Sequence, residues 1–520
     1  MARHLALVRH IATIGGMTMV SRVLGFVRDM LIAAVLGAGP LADVFFVAFR
    51  LPNLFRSLFA EGAFSMAFVP LFAGRLETAG PEAARVFAEQ VLAALLWSLL
   101  AFTVLVMAGM PLLMHGLAPG FIGDPERFDL AVVLTRITFP YLLFVSLVSL
   151  MAGVLNSLHR FAAAAAAPIL LNLCMIAAVL LLARYTETPA HALAWGVSLA
   201  GAVQFVWLAV QCARAGVALR LPWPRLGPDV RLLLRRIVPV ALGAGIYQVN
   251  LVVNTMIASL LPAGAISYLF YADRVTQLPL GVVGVAVGTA LLPMLSRDLR
   301  GGRTEAAMAT QNRALEMALL LTLPAAAALI VLAEPVVIVL FERGIFSAAD
   351  TAATAGALAV FAAGLPAFVL VKALSPGFYA REDTATPVKA AGVCMAVNLL
   401  LNLLLMGPMQ HIGIAIATVI ASWLNAGLLG FGLARRGHLA ADARLRRRLP
   451  RMLLACVGMA GCLLGGRWLL SSHIAGHGLE PAAALALLIG GGLAAFAILA
   501  HVLGAASLSE VKSLIRRQPA

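Results

Sequence analysis

The sequence predicts an all-α, polytopic membrane protein of about fourteen transmembrane helices, arranged as two pseudo-symmetric six-helix lobes plus two extra C-terminal helices. Three observations lead there. Of the 520 residues, 62% are hydrophobic and 12% charged, with a mean hydropathy of +0.98, whereas soluble proteins run near a quarter charged. Apolar runs of about 20 residues, enough to cross a bilayer, recur along the whole chain with short polar breaks. The chain also repeats itself: "GAGPLADVFFVAFRLPN" (37–53) resembles "PAGAISYLFYADRVTQLP" (262–279), "FVPLF" (68–72) resembles "LLPML" (291–295), and "TFPYLLF" (138–144) resembles "GLPAFVL" (364–370).

Taken in order, span 1 (11–37) follows Arg3, His4 and Arg9. Arg22, Arg28 and Asp29 interrupt it and no small-residue cleavage site follows a clean core, so it reads as an uncleaved helix and not a signal peptide. Span 2 (44–73) holds Pro52; spans 3 to 6 cover 87–114, 130–156, 162–184 and 190–212. Spans 7 and 8 (233–261 and 266–296) begin the second copy, which spans 9 to 12 complete at 313–334, 352–379, 386–407 and 412–434. Spans 13 and 14 (450–470 and 482–504) fall outside the repeat. The domains are therefore 1–225, a first six-helix lobe; 226–440, a second; and 441–520, the added pair with a cytoplasmic tail. A six-helix repeat keeps its orientation, so the lobes are expected to be related by an axis along the membrane normal, with a cavity between them. Gly15, Gly16, Gly25, Pro52 and Pro279 mark bends whose freed backbone groups suit a cavity lining.

The net charge of +15 lies in alternate short connections. Arg75 and Arg85 mark the second; Arg214, Arg220, Arg225, Arg231, Arg235 and Arg236 the sixth; Arg435, Arg436, Arg444, Arg446, Arg447, Arg448 and Arg451 the twelfth. The third and ninth are net acidic through Asp124, Glu126, Asp129 and Glu334, Glu342, Asp350. This pattern places both termini in the cytoplasm and argues against nucleic acid as a partner. The five cysteines, Cys174, Cys212, Cys394, Cys456 and Cys462, sit in apolar runs without metal spacing and read as small buried hydrophobes. No lysine follows a glycine, so there is no Walker motif, and no stretch is long enough for a nucleotide-binding domain.

The informative residues are charges inside apolar spans. Arg22, Arg28, Arg50, Arg56 and Arg274 lie in or at the edges of spans, with only Asp29, Asp43, Glu61 and Asp273 nearby. Each arginine at a bilayer centre costs about 2.5–3.5 kcal/mol or more, so the set calls for a hydrated cavity and an anion to meet it. In span 1, Ser21 and Arg28 share a helical face, as do Arg22 and Asp29. In span 2, Arg50, Asn53, Ser57 and Glu61 form one polar stripe, with Arg56 beside it. Span 8 carries "YADR", with Ser267 before it and Gln277 after it. A planar guanidinium fork that stays charged suits a diphosphate, and the acids are expected to pair with arginines when the cavity is empty. A second cluster, Asn254, Asn398, Asn402 and Thr418, offers oxygen ligands for a weak sodium site or ordinary interhelical hydrogen bonds. Lys372 is a lone charge in span 10 and a candidate partner for a ligand or lipid head group.

The segments "MTMVSRVLGFVRD" (17–29), "GAGPLADVFFVAFRLPNLFRSLFAEGAFSMAFVP" (37–70), "APGF" (118–121), "YADRVTQLPLGVVGVAVGT" (271–289) and "KALSPGFYAREDTATPVK" (372–389) together resemble the MurJ/MviN lipid II flippases, within the superfamily of multidrug and oligosaccharidyl-lipid exporters. The resemblance covers essentially the whole chain. It implies translocation of lipid II, an undecaprenyl-pyrophosphate-linked disaccharide-peptide, from the inner to the outer leaflet of the cytoplasmic membrane. It implies that Arg22, Arg28, Arg56 and Arg274 are the cavity arginines, Asp43 an essential acid, Ser267 the serine of span 8, and spans 13 and 14 a groove for the lipid tail. Asn53, Glu61, Asp29 and Asp273 complete the expected substrate-binding set. Gln277 stands where some members carry glutamate. The expected partners are lipid II and membrane lipids; no cofactor is expected beyond, at most, a monovalent ion, sodium or chloride. Two rivals share the architecture: a flippase for another polyprenyl-linked oligosaccharide, and a drug/cation antiporter, which should show acid in its cavity and not arginine. A polyprenyl-phosphate-dependent glycosyltransferase needs a catalytic acid, usually on a large outer loop, and the outward connections are short.

Overall fold

The structure is a computed structural model and describes residues 2–60, 63–224, 227–474 and 478–506. Glu61 lies outside the described residues. All regular structure among the described residues is helical, and nine helical stretches there are long and apolar enough to cross a membrane. By packing, the chain divides into two compact units, Met1–Ser267 and Tyr268–Ala520.

The first unit runs through α1 (Ala2–Leu36), α2 (Pro40–Ala60), α3 (Ala63–Thr78), α4 (Gly80–Ala108), α5 (Met110–Leu117), α6 (Pro125–Thr138), α7 (Tyr141–Ser157), α8 (Phe161–Ala177), α9 (Pro189–Arg214) and α10 (Pro228–Ser259). Proline opens α2, α6, α9 and α10, a position where its missing N–H costs nothing. Asp124 caps α6 by accepting from the Arg127 amide at 3.2 Å. The expected span 130–156 is two helices, α6 and α7, which meet at Phe139–Pro140 because proline cannot donate to the helical ladder. Span 7, as α10, packs on α2, α3 and α4 within this unit.

Lipid is as apolar as leucine, so helices inside a bilayer associate through close packing more than through hydrophobic burial. The unit shows how. Phe64, Phe68 and Phe72 of α3 stack on one another, and Phe68 on Phe87 of α4, with centroids 5.3–5.7 Å apart. Gly153 of α7 admits this stack: a Cβ there would lie 2.8 Å from the Phe68 ring.

The second unit holds most of α11 (Ala265–Arg300), then α12 (Thr304–Val331), α13 (Ala333–Phe341), α14 (Ala348–Tyr379), α15 (Ala385–Arg435), α16 (Ala443–Leu469), α17 (Ser471–Ile474) and α18 (Leu479–Val502). Ser347 and Asp350 form a capping box at the start of α14. The 51-residue α15 contains the two expected spans 386–407 and 412–434, broken at Gln410, whose φ is 50°. The added helices α16 and α18 pack on α12 through Leu319, Met452, Ala455 and Ala500. At one end of this contact, buried Glu316 of α12 accepts from Arg448 at 2.6 Å and Arg444 at 3.1 Å, and Arg313 bridges Glu316 and Asp442.

The two ends of α15 are tied together by Asp383. Its carboxylate accepts from the Thr386 amide at 2.9 Å, the Thr386 hydroxyl at 2.6 Å and Arg436 at 2.5 Å. Thr386, and then Arg436, hold this carboxyl well below the usual carboxylate range. A depressed carboxylate stabilises the fold above its unfolded pKa of about 3.9, and that contribution is lost as pH falls through the folded value. Asp383→Ala is expected to lower the thermal midpoint of the purified protein by about 2–4 °C at pH 7. The gap between variant and wild type should begin to narrow as pH falls below about 4 and close only where the folded carboxyl itself takes up its proton.

Candidate functional site

The residues of span 1 separate by face. Arg22 is exposed on α1, whereas Arg28 and Asp29 are 4% and 2% exposed. Arg28 donates from Nε and Nη2 to Asp29 Oδ1 at 3.0 and 2.7 Å, and from Nη1 to Asn172 Oδ1 of α8 at 3.0 Å. Asn172 turns its amide to the Ser21 carbonyl at 2.9 Å. One side chain of α8 thus reaches both Ser21 and Arg28, two turns apart on one face as their spacing requires. Gly25 lies between them, with the Asn172 amide 3.4 Å from where its Cβ would sit. The pair with Asp29 keeps a guanidinium charged away from bulk water at reduced cost, because charge and hydrogen bonds are matched together.

The stripe of span 2 faces α10. Arg50 Nη2 donates to the Leu251 carbonyl at 2.8 Å, and Gln248 donates to Ser57 Oγ at 2.6 Å. Arg56, half-buried, donates from Nε to Asn53 Oδ1 at 3.1 Å. The structure therefore brings Arg50 and Ser57 against one neighbouring helix and leaves Arg56 on Asn53, one turn away on its own helix.

Asp43, in the first turn of α2, is 2% exposed and forms a latch. It accepts from the Gly264 amide at 2.6 Å, the Ser267 amide at 2.9 Å and the Ser267 hydroxyl at 2.5 Å. Arg127 stands 3.6 Å away and lies 4.4 Å over the Phe121 ring. Beside it the chain passes so close that Gly120 cannot be replaced: a Cβ there would fall inside the Ser259 carbonyl, while its amide donates to Ser259 Oγ at 3.2 Å. The partners of Asp43 are thus backbone amides, a serine and Arg127, and not the arginines of the spans.

On α11, Asp273 is exposed and accepts from Gln277 at 3.2 Å, and Arg274 lies 5.3 Å over Phe270. Asn398 and Asn402 of α15 are buried and bond each other at 3.1 Å. Thr418 donates to the Ile414 carbonyl of its own helix. Asn254 is half-buried on α10 in the first unit, and the other three belong to the second.

Three residues that hold this arrangement together went unread in the sequence: Asn172, Arg127 and Gln248. Asn172 carries a usable signal, a single amide in the apolar run "PILLNLCM". Arg127 looked like one charge among several in "DPERFD", and only folding puts it on Asp43.

A family model described as lipid II flippase MurJ matches residues 32–480. A protein of Rhizobium meliloti named probable lipid II flippase MurJ is 48% identical over 522 residues, covering 99% of this chain and 97% of its own length. A lipid II flippase MurJ of Burkholderia cenocepacia is 37% identical over 464 residues, covering 88% and 89%. A solved structure of a lipid II flippase MurJ in an inward closed conformation superposes with a TM-score of 0.78 at 24% identity, covering 97% of this chain and 99% of that one. An inward-facing multidrug resistance transporter of the MATE family gives 0.67 at 15% identity, covering 82% and 98%. At those identities the structural likeness speaks to the fold alone.

Proposed function

Since the chain belongs to the lipid II flippase MurJ family, we infer that it moves lipid II across the membrane as a transporter and not as an enzyme. The observation that carries the chemistry is the set of arginines in apolar helices, above all Arg28, held 4% exposed in α1. Guanidinium groups at membrane depth fit an anionic diphosphate and do not fit the cationic cargo of a drug antiporter. The head group is taken by Arg22, Arg28, Arg56 and Arg274 while the polyprenyl tail stays in lipid. Asp29, at 2.7 Å from Arg28, neutralises it until phosphate oxygens compete for the same donors.

The direction is from the cytoplasmic to the outer face, in the cytoplasmic membrane, with both termini inside; the alternation of basic connections supports this. On that topology Asp43, Ser267, Gly264 and Arg127 form the outer closure, and its release exposes the head group outside. A potential negative inside favours outward movement of an anion by about 2.3 kcal/mol per charge per 100 mV. Any coupling ion is monovalent: sodium on the oxygens of Asn254, Asn398, Asn402 and Thr418, or chloride on the arginines.

The reading is tested in cells that depend on this chain, with leaflet-specific labelling of lipid-linked precursor. Depletion should leave precursor on the inner face; normal outward labelling after depletion would overturn the reading.

A further inference from the structure

The connection between α9 and α10 carries arginines and reads in the sequence as a solvated cytoplasmic loop. Its described part, 215–224, is instead laid on the first unit. Ala215, Val217 and Leu219 pack on the aromatic core around Phe68 and Phe87, while Gly216, Ala218 and Arg220 are exposed. That alternation is the mark of an extended chain with one face covered. The Arg220 amide donates to Glu89 Oε1 of α4 at 2.9 Å. Glu89 is buried, and the transport reading gives it no task. Three residues on, Trp223 stacks on Trp97 of α4, with centroids 6.0 Å apart and planes 20° from parallel.

The two contacts agree in length. Glu89 and Trp97 are eight residues apart on a helix, about 12 Å, and Arg220 to Trp223 is three extended residues, about 10 Å. The chain thus climbs α4 from Glu89 to Trp97. By Gly227 it has returned to the level of Gln90, whose Oε1 lies 3.5 Å from where a Cβ on that glycine would sit. Trp223 is the deepest described point of this dip.

α4 changes character at the same place. Phe87, Ala88, Val91, Leu92 and Ala93 are buried, whereas Trp97, Leu100, Val104 and Leu105 are exposed. Beyond Trp97, Leu100, Ala101, Val104 and Leu105 line an open apolar hollow, fit for an acyl chain. Leu117, at the end of α5, is twenty residues past Trp97, about 30 Å at helical rise and so one hydrocarbon thickness. Irregular backbone that faces lipid is not tolerated inside the hydrocarbon, so the dip has to stop at its edge. Both measures place that edge at Trp97. Glu89 then lies about 12 Å outside it, on the side of the basic second connection.

We propose that the Trp97–Trp223 pair is a docking surface for phospholipid of the cytoplasmic leaflet, seated at its glycerol and head-group layer, and that Glu89 pins the connection along α4 to hold Trp223 there. Two indole rings, 42% and 78% exposed, suit that layer because each offers an apolar body to the chains and an N–H to the polar side. The connection is therefore a strap seated in the membrane, and it sets how deep the first unit rides in the inner leaflet.

The full chain is reconstituted in phosphatidylethanolamine–phosphatidylglycerol vesicles with Trp223 as its one tryptophan, the other five being phenylalanine. Its fluorescence is quenched by phospholipid brominated near the glycerol, by phospholipid brominated near the chain end, and by aqueous iodide. The shallow bromine should quench at least about twofold more than the deep one, as an interfacial ring requires, and iodide should quench less than it quenches free tryptophan amide. If the single-tryptophan chain does not fold, the difference between wild type and Trp223→Phe gives the same readout. Glu89→Ala should raise iodide quenching at least about twofold through loss of the pinning bond, while Glu89→Gln, which keeps an acceptor oxygen, should not. Free access to iodide with no lipid quenching overturns the proposal, and so does stronger quenching by the deep bromine. Protection from all three quenchers would mean that protein, such as a second copy of this chain, covers the pair in place of lipid. Unchanged quenching in Glu89→Ala would overturn the pin.

Discussion

Arg28→Ala is expected to abolish outward movement of lipid-linked precursor, with a loss of at least about a hundredfold. The substitution acts twice. It removes the cation best placed to exchange a carboxylate for a phosphate, since two of its donors already hold Asp29 Oδ1 at 2.7 and 3.0 Å. It also leaves Asp29, 2% exposed, without its guanidinium, and breaking a buried pair from one side costs about 3–5 kcal/mol. A dead variant could therefore be an unfolded one, and the measurement has to separate the cases. Arg28→Lys keeps the charge but loses the fork that serves Asp29 and Asn172 together; it should reach the membrane in normal amount and export at least tenfold less. The double variant Arg28→Ala/Asp29→Ala removes both charges and should restore protein level without restoring export. Export by the double variant at wild-type level would show that Arg28 only answers Asp29 and never meets substrate.

Asp43→Asn is the second large effect. The carboxylate accepts three hydrogen bonds, two of them on Oδ1 from Ser267 and one on Oδ2 from the Gly264 amide. An amide of the same shape keeps only one acceptor. Whichever way it turns, its NH2 faces a backbone N–H, and a donor is left buried and unsatisfied at about 1–3 kcal/mol, with the attraction of Arg127 lost as well. The closure around Gly120 and Ser259 should loosen. A cysteine placed at Ser267 in the Asp43→Asn background should react with a membrane-impermeant thiol reagent at least tenfold faster than in wild type, and export should drop in parallel. The cysteine itself removes the Ser267 hydroxyl bond, so equal reactivity in both backgrounds would mean that the two bonds from the Gly264 and Ser267 amides do not keep this closure shut.

Much of the fold was legible because membrane helices announce themselves by length and apolarity, and proline and glycine mark where they break. The break of α15 at Gln410 fell in the gap left between 407 and 412, and the cap of α14 at Ser347 and Asp350 is a pattern of residue types. Pairing across the fold was less legible. Helical spacing put Ser21 and Arg28 on one face, but nothing local announces that Asn172, far along the chain, would reach both. The stripe from Arg50 to Ser57 was readable as a stripe, yet the sequence does not say that it meets Leu251 and Gln248. Asp43 was singled out through family resemblance; its partners follow from a close backbone approach at Gly264, which no spacing rule encodes. Periodicity reports which side a residue is on, and only tertiary packing reports what waits there.

Glu316 bears on how the last two helices take part in the cycle. One carboxylate gathers guanidinium groups from α12 and from the start of α16, so α16, and α18 packed on it, are tethered to α12. A lipid tail lodged along them would be held to α12 through that one carboxylate. Cutting that tether by Glu316→Ala should leave the chemistry of the head group untouched and strand its tail.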